Sequence, residues 1–84
     1  MVDYLSVIVE NLTGFDPLKD TRKRGNVEAR VLLANALLTM GKTETKTGDL
    51  LGKNHSTIHH YRDLLKDLPS LHKNWERLKK ILDI

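Results

Sequence analysis

The stretch TETKTGDLLGKNHSTIHHYR, Thr43 to Arg62, decides the fold. Thr43 is a good N-cap for a short helix reaching about Leu51, and Gly52 is placed to end it. Asn54 then caps a second helix, on which Ile58, Tyr61, Leu65 and Leu68 recur at helical spacing. Two short helices around a tight Gly-containing turn, the second opening with small polar residues, predict a helix-turn-helix over about 43–68. In such a unit the second helix enters a major groove N-terminus first. Asn54, His55 and Ser56 are short enough to let that helix end approach base edges, while Ile58, Tyr61 and Leu65 hold it on the core. Asn matches adenine as a donor–acceptor pair, and Ser or His can bond a base edge. The free N–H groups at the start of the first helix, near Thr43, Glu44 and Thr45, suit a phosphate. Two helices and a glycine are also common in small α-proteins without such a partner.

The flanking chain is helical too, with no alternating strand pattern. Upstream, Leu5, Ile8, Val9 and Leu12 share one helical face, and Gly14 is a stop. Asp16-Pro17 reads as an N-cap followed by proline, opening a short turn. A basic loop from Lys19 to Gly25 leads to a long helix, expected from Asn26 to about Met40 and ended by Gly41. Val27, Val31, Leu33, Ala34, Leu37 and Leu38 cover much of its circumference, the pattern of a central helix packed on several sides. Downstream, Pro69 stops the fourth helix and Ser70 caps a fifth, with Leu71, Trp75, Leu78 and Leu82 as its apolar stripe. The expectation is an all-α bundle of about five helices with one core, a single domain over 1–84.

Composition narrows the function classes. At 84 residues there is too little chain for a second core. With Cys 0, disulfides, thiolate zinc sites and cysteine nucleophiles are excluded. No apolar run approaches the ~20 residues of a membrane span, and no secretory signal opens the chain, so a cytoplasmic protein is expected. The formal charge of +3 is unevenly placed. Asp3, Glu10 and Asp16 stand without basic partners in residues 1–18, whereas Lys19, Arg22, Lys23, Arg24 and Arg30 outweigh Asp20 and Glu28 in residues 19–30. That local field favours an anionic partner for the middle of the chain.

Catalytic readings fail on spacing. Gly41-Lys42-Thr43 echoes the end of a phosphate loop, but Ala36 stands where its first glycine belongs and no strand leads in. No Ser/His/Asp set or carboxylate pair has a credible catalytic context. His55, His59 and His60 have no further ligand cluster to complete a metal site. Tyr61 and Trp75 lie on apolar stripes and read as core, and Lys73, Arg77 and Lys80 read as a solvated basic face. No enzyme, metal or cofactor is expected.

At GDLLGKNHSTIHHYRDLL the chain resembles the signature of the C-terminal DNA-binding domain of the bacterial replication initiator DnaA, with its Gly-Arg-Asp-His-Thr-Thr-Val-(Leu/Ile)-His core. TRKRGNVEARVLLANAL resembles that family's basic loop and the start of its long helix, so the likeness runs from about Leu12 to Leu68. No chain within these residues remains for the initiator's ATPase or amino-terminal assembly modules. The resemblance implies minor-groove insertion for Arg22, phosphate contact for Arg30, and base and phosphate contacts in the major groove for Lys53, Asn54, His55, Ser56 and Thr57. His60 matches the later signature histidine, near the backbone. The chain departs from the family in three places. Asn54 replaces an acid, Thr47 stands where a core aliphatic is usual, and the turn before Lys53 is one residue shorter. The mode of binding therefore carries over, and the target sequence does not.

The expected function is sequence-specific binding of double-stranded DNA, regulating replication or transcription in a bacterium or phage-infected cell near the nucleoid. The expected contact set is Arg22, Lys23, Arg24, Arg30, Thr43, Thr45, Lys53, Asn54, His55, Ser56, Thr57 and His60. Replication or transcription proteins are candidate additional partners. The alternative is a protein-interaction module whose same surface binds an acidic partner or mimics the initiator. Asn54 is either a cap alone or a cap that also reads a base.

Overall fold

A computed structural model describes residues 1–84, which form five α-helices and no strands. They are α1 (Val2–Thr13), α2 (Arg24–Thr39), α3 (Glu44–Leu51), α4 (His55–Asp67) and α5 (His72–Leu82). A single 3-10 turn, Pro69–Leu71, joins α4 to α5. No helix is long and apolar enough to cross a membrane.

Helix α2 is the axle. Every residue from Ala29 to Leu37 is buried, and α1, α3, α4 and α5 all pack on it. The core closes with Leu5 and Val9 from α1, Ile58, Tyr61 and Leu65 from α4, and Leu71 and Leu78 at the carboxyl end. Each fully buried leucine contributes about 1.5–3 kcal/mol of transfer free energy, which here must hold the bundle without a covalent staple. One polar group is placed among these apolar ones. The buried Asn35 amide donates to Val31 O at 2.8 Å and across to Tyr61 O at 3.1 Å, tying α2 to α4. Because both bonds are made, that amide is not a burial penalty.

Local signals set most helix ends where the sequence places them. Gly14 closes α1 in the left-handed conformation, and Thr43 Oγ1 accepts from Lys46 N at 3.0 Å at the start of α3. Asp16 Oδ1 accepts from Leu18 N at 2.9 Å, forming the expected turn at Pro17. Two ends differ. Helix α2 starts at Arg24 rather than Asn26, because the Asn26 side chain reaches back to Asp16 O at 2.9 Å instead of capping. Lys23, with extended backbone, stands at the cap position. Helix α5 starts at His72, and Ser70 makes no capping bond; the Pro69–Leu71 turn occupies that stretch. His72 Nε2 instead lies 2.8 Å from Leu65 O, near the end of α4.

Candidate nucleic-acid interface

Helices α3 and α4 form a helix-turn-helix whose turn is tightened by two glycines. Gly52 ends α3 at φ 68, where an L side chain is strained. Gly48, inside α3, carries no side chain for a different reason: a Cβ there would overlap the Lys53 carbonyl oxygen. The same close approach lets Gly48 O accept from Lys53 N at 2.8 Å. The turn is thereby folded against the last turn of α3, and Lys53-Asn54 is delivered to the start of α4.

The opening of α4 is exposed and largely unengaged. Asn54 Oδ1 accepts from Thr57 N at 2.9 Å and from Thr57 Oγ1 at 3.2 Å, so its carbonyl oxygen is the cap. Asn54 is exposed, and its Nδ2 amino group has no intramolecular acceptor. His55 and Ser56 are exposed, and Thr57 is half-buried. The N–H groups of this first turn lack intrahelical acceptors by construction and carry the positive end of the helix dipole. Ser56 and His60 share the outward face of α4 with Asp63 and Asp67. Those two carboxylates would meet phosphates if the helix lay along a groove. Only its N-terminal turn and a half presents a surface compatible with a polyanion.

The α3 face of α4 is fastened by an ionic cluster. Glu44 Oε2 accepts from Arg62 Nη1 at 2.7 Å and lies 3.0 Å from His59 Nδ1. The Arg62 hydrogen bond, and after it the His59 one, holds the Glu44 carboxyl below its ordinary value. His59 is thus turned toward α3, away from the outward face shared by Ser56 and His60. The cluster also places a carboxylate in the first turn of α3, between Thr43 and Thr45. Both threonines are exposed, but Thr43 Oγ1 is engaged as a cap and the nearby acid lowers the pull on a phosphate.

The basic loop reaches the same region by another route. Asp20 Oδ1 lies 4.0 Å from Lys53 Nζ, linking the loop to the turn before α4. A cleft of about 250 Å³ between them is lined by Pro17, Leu18, Asp20, Arg30 and the 51–53 turn. Farther along, Arg22 borders an apolar groove with Leu64 and Leu68, so the loop follows the flank of α4. Arg22 and Lys23 are exposed and carry no ion pair, whereas Arg24 is bound to Glu28 at 3.1 Å within α2.

Arg30 differs from its expected role. It is only 5 % exposed, and its guanidinium donates to the carbonyls of Pro17, Lys19 and Thr21. A planar fork with five donors is suited to gathering several acceptors at once. Arg30 thus shapes the loop that carries Arg22 and Lys23 rather than presenting its charge at the surface. Of the expected contact residues, the structure brings Lys53, Asn54, His55, Ser56, Thr57 and His60 together around the first turns of α4. It sets Arg22 beside Leu64 and Leu68, toward the carboxyl end of α4, and puts Thr43 and Thr45 at the start of α3. The ion-pair role of Glu44, and the roles of Gly48, Asn35 and Arg62, escaped the sequence reading. Only Gly48 carried a sequence signal, as an isolated glycine inside a helical pattern.

The fold and site together define a small all-α bundle with an exposed helix-turn-helix and a basic loop beside it. In comparisons with known proteins, no family model, no curated protein and no solved structure matches the chain.

Proposed function

We propose that the protein binds double-stranded DNA sequence-specifically, with the N-terminal turn of α4 in the major groove and the Arg22 loop in the neighbouring minor groove. The observation that carries this reading is the exposed α4 opening. It combines a cap whose amide nitrogen has no intramolecular acceptor, the exposed His55 and Ser56 side chains, the backbone N–H groups of the first turn and the neighbouring Lys53, with Arg22 farther along the flank of the same helix. An acidic protein's carboxylates would also be held by these donors, but they offer no base edge for Asn54, His55 and Ser56 to discriminate. The resemblance to the initiator's C-terminal domain agrees with this mode and points to control of replication or transcription in bacterial or phage-infected cells.

Fluorescence anisotropy with a labelled duplex at several salt concentrations tests it. With Arg22, Lys23, Lys53 and the α4 N-terminus near phosphates, log affinity should fall with log salt at about 0.9 per neutralised phosphate, a total slope of roughly −3 to −4. A slope of one or less would refute DNA as the partner of this surface.

A further inference from the structure

Helices α1 and α5 pack side by side and leave an apolar seam in solvent, outside the helix-turn-helix. Tyr4 is 68 % exposed, Val7 55 % and Ile81 56 %, and Ile8 with Ile81 lines a shallow cavity of about 320 Å³ between the two helices. Exposed apolar side chains gathered on one face of a small chain mark a contact surface. What flanks the seam says what kind. Helical periodicity places Asp3 and Glu10 along the outer edge of α1, next to Val7. On the far side of Ile81, Lys73, Arg77 and Lys80 line the outer face of α5. None of these charges is ion-paired within the chain, although Asp3 shares a shallow cavity with Lys42 and Lys46 and Glu10 is the freer acid of that edge, while Glu76 and Lys79 already satisfy each other at 3.0 Å.

The surface therefore runs acidic, apolar, basic in one direction. A partner of uniform charge, such as a nucleic acid or an anionic bilayer, is repelled by one of its two margins. A second copy of the same surface, turned by a two-fold axis through the apolar middle, sets each acidic margin against a basic one and each apolar strip against its own image. We propose that the α1–α5 face is an isologous dimer interface, with α1 of one copy facing α5 of the other across Tyr4, Val7 and Ile81. A stable contact needs about 800 Å² per partner, roughly a sixth of this chain's 5136 Å² surface. The pairing does not depend on what α4 binds.

Sedimentation equilibrium of the free protein over about 5–500 μM, at low salt, reads the outcome. The expected result is a reversible shift from the 9.6 kDa monomer to twice that mass. Two charge-reversed variants refine it: Asp3→Lys with Glu10→Lys, and Lys73→Glu with Lys80→Glu. All four sites are exposed, and unchanged circular dichroism confirms folding. Each variant alone places like charges across the two-fold, and dissociation should rise about tenfold or more. Mixed together, the two restore opposite charges on both margins and should recover the wild-type dimer. A monomer throughout the range, an open-ended oligomer, or a dimer indifferent to both variants and to their mixing would overturn the proposal.

Discussion

Asn54→Asp separates what the α4 opening does for folding from what it does for binding. In the structure only Oδ1 of Asn54 serves the fold, accepting from Thr57 N at 2.9 Å and Thr57 Oγ1 at 3.2 Å. An aspartate offers the same oxygen in the same place, and Asn and Asp are nearly equal as caps. Its charge also suits the positive end of the helix dipole. The stability change should stay within a few tenths of a kcal/mol, a melting-temperature shift of about 2 °C or less for a domain of this size. Binding should change far more. The substitution deletes the free Nδ2 donor and adds a negative charge beside the groove. A carboxylate accepts from the cytosine amino group, so the preferred base at one position should move toward cytosine. One such contact discriminates by ~1–3 kcal/mol, roughly 5- to 150-fold. Thermal melting followed by circular dichroism reads the first effect, and selection of bound duplexes from a random pool reads the second. Unchanged melting with unchanged base preference would reduce Asn54 to a cap and refute its role as a reader.

Three further changes probe the scaffold beneath the site. Thr47 is fully buried in α3 and its Oγ1 has no hydrogen-bond partner, so Thr47→Val should stabilise by ~1–2 kcal/mol, about 4–8 °C per kcal/mol in a melt; a lower melting temperature would mean the hydroxyl is satisfied after all. Gly48→Ala drives a methyl into the Lys53 carbonyl, and against a helix-propensity gain of ~1 kcal/mol the net loss should be about 2 kcal/mol by chemical denaturation. Glu44→Gln tests the α3–α4 cluster through pH. Because Glu44 sits below its ordinary value of 4.5, its stabilisation is full above that value and fades as pH falls through the lowered one. Wild type should therefore melt higher than Glu44→Gln at neutral pH, the gap closing in acid; a gap independent of pH would contradict the pairing.

How much was legible depended on whether the physics was local. Thr43, Asn54, Gly14 and Gly52 fix helix ends through bonds or dihedrals a few residues long, and all four are where the sequence places them. The periodicity of α2 likewise identifies a helix buried all round. Arg30 was opaque because its three acceptors lie 9 to 13 residues upstream in an irregular loop, and exposure cannot be read from a side chain's charge. Asn26 misled for a related reason. It is a good cap by type, yet it found a tertiary acceptor in Asp16 and left the helix to begin two residues earlier. Glu44, His59 and Arg62 meet through the packing of α3 on α4, 15 and 18 residues apart, a geometry without a short-range signature. At the candidate site, the helix tip was legible from caps and small polar residues. The distinction between cations that face solvent and one that organises the loop was not.

The most direct test of the central claim is selection of bound sequences from random duplex DNA by the wild-type protein, repeated with Arg22→Ala and His55→Ala. A convergent motif with an A/T-rich flank is expected, because a narrow minor groove concentrates negative potential around an inserted arginine. Arg22→Ala should erase the flank preference, and His55→Ala should relax one or two positions within the motif. A pool that fails to converge, or variants that weaken binding uniformly without altering the motif, would contradict it.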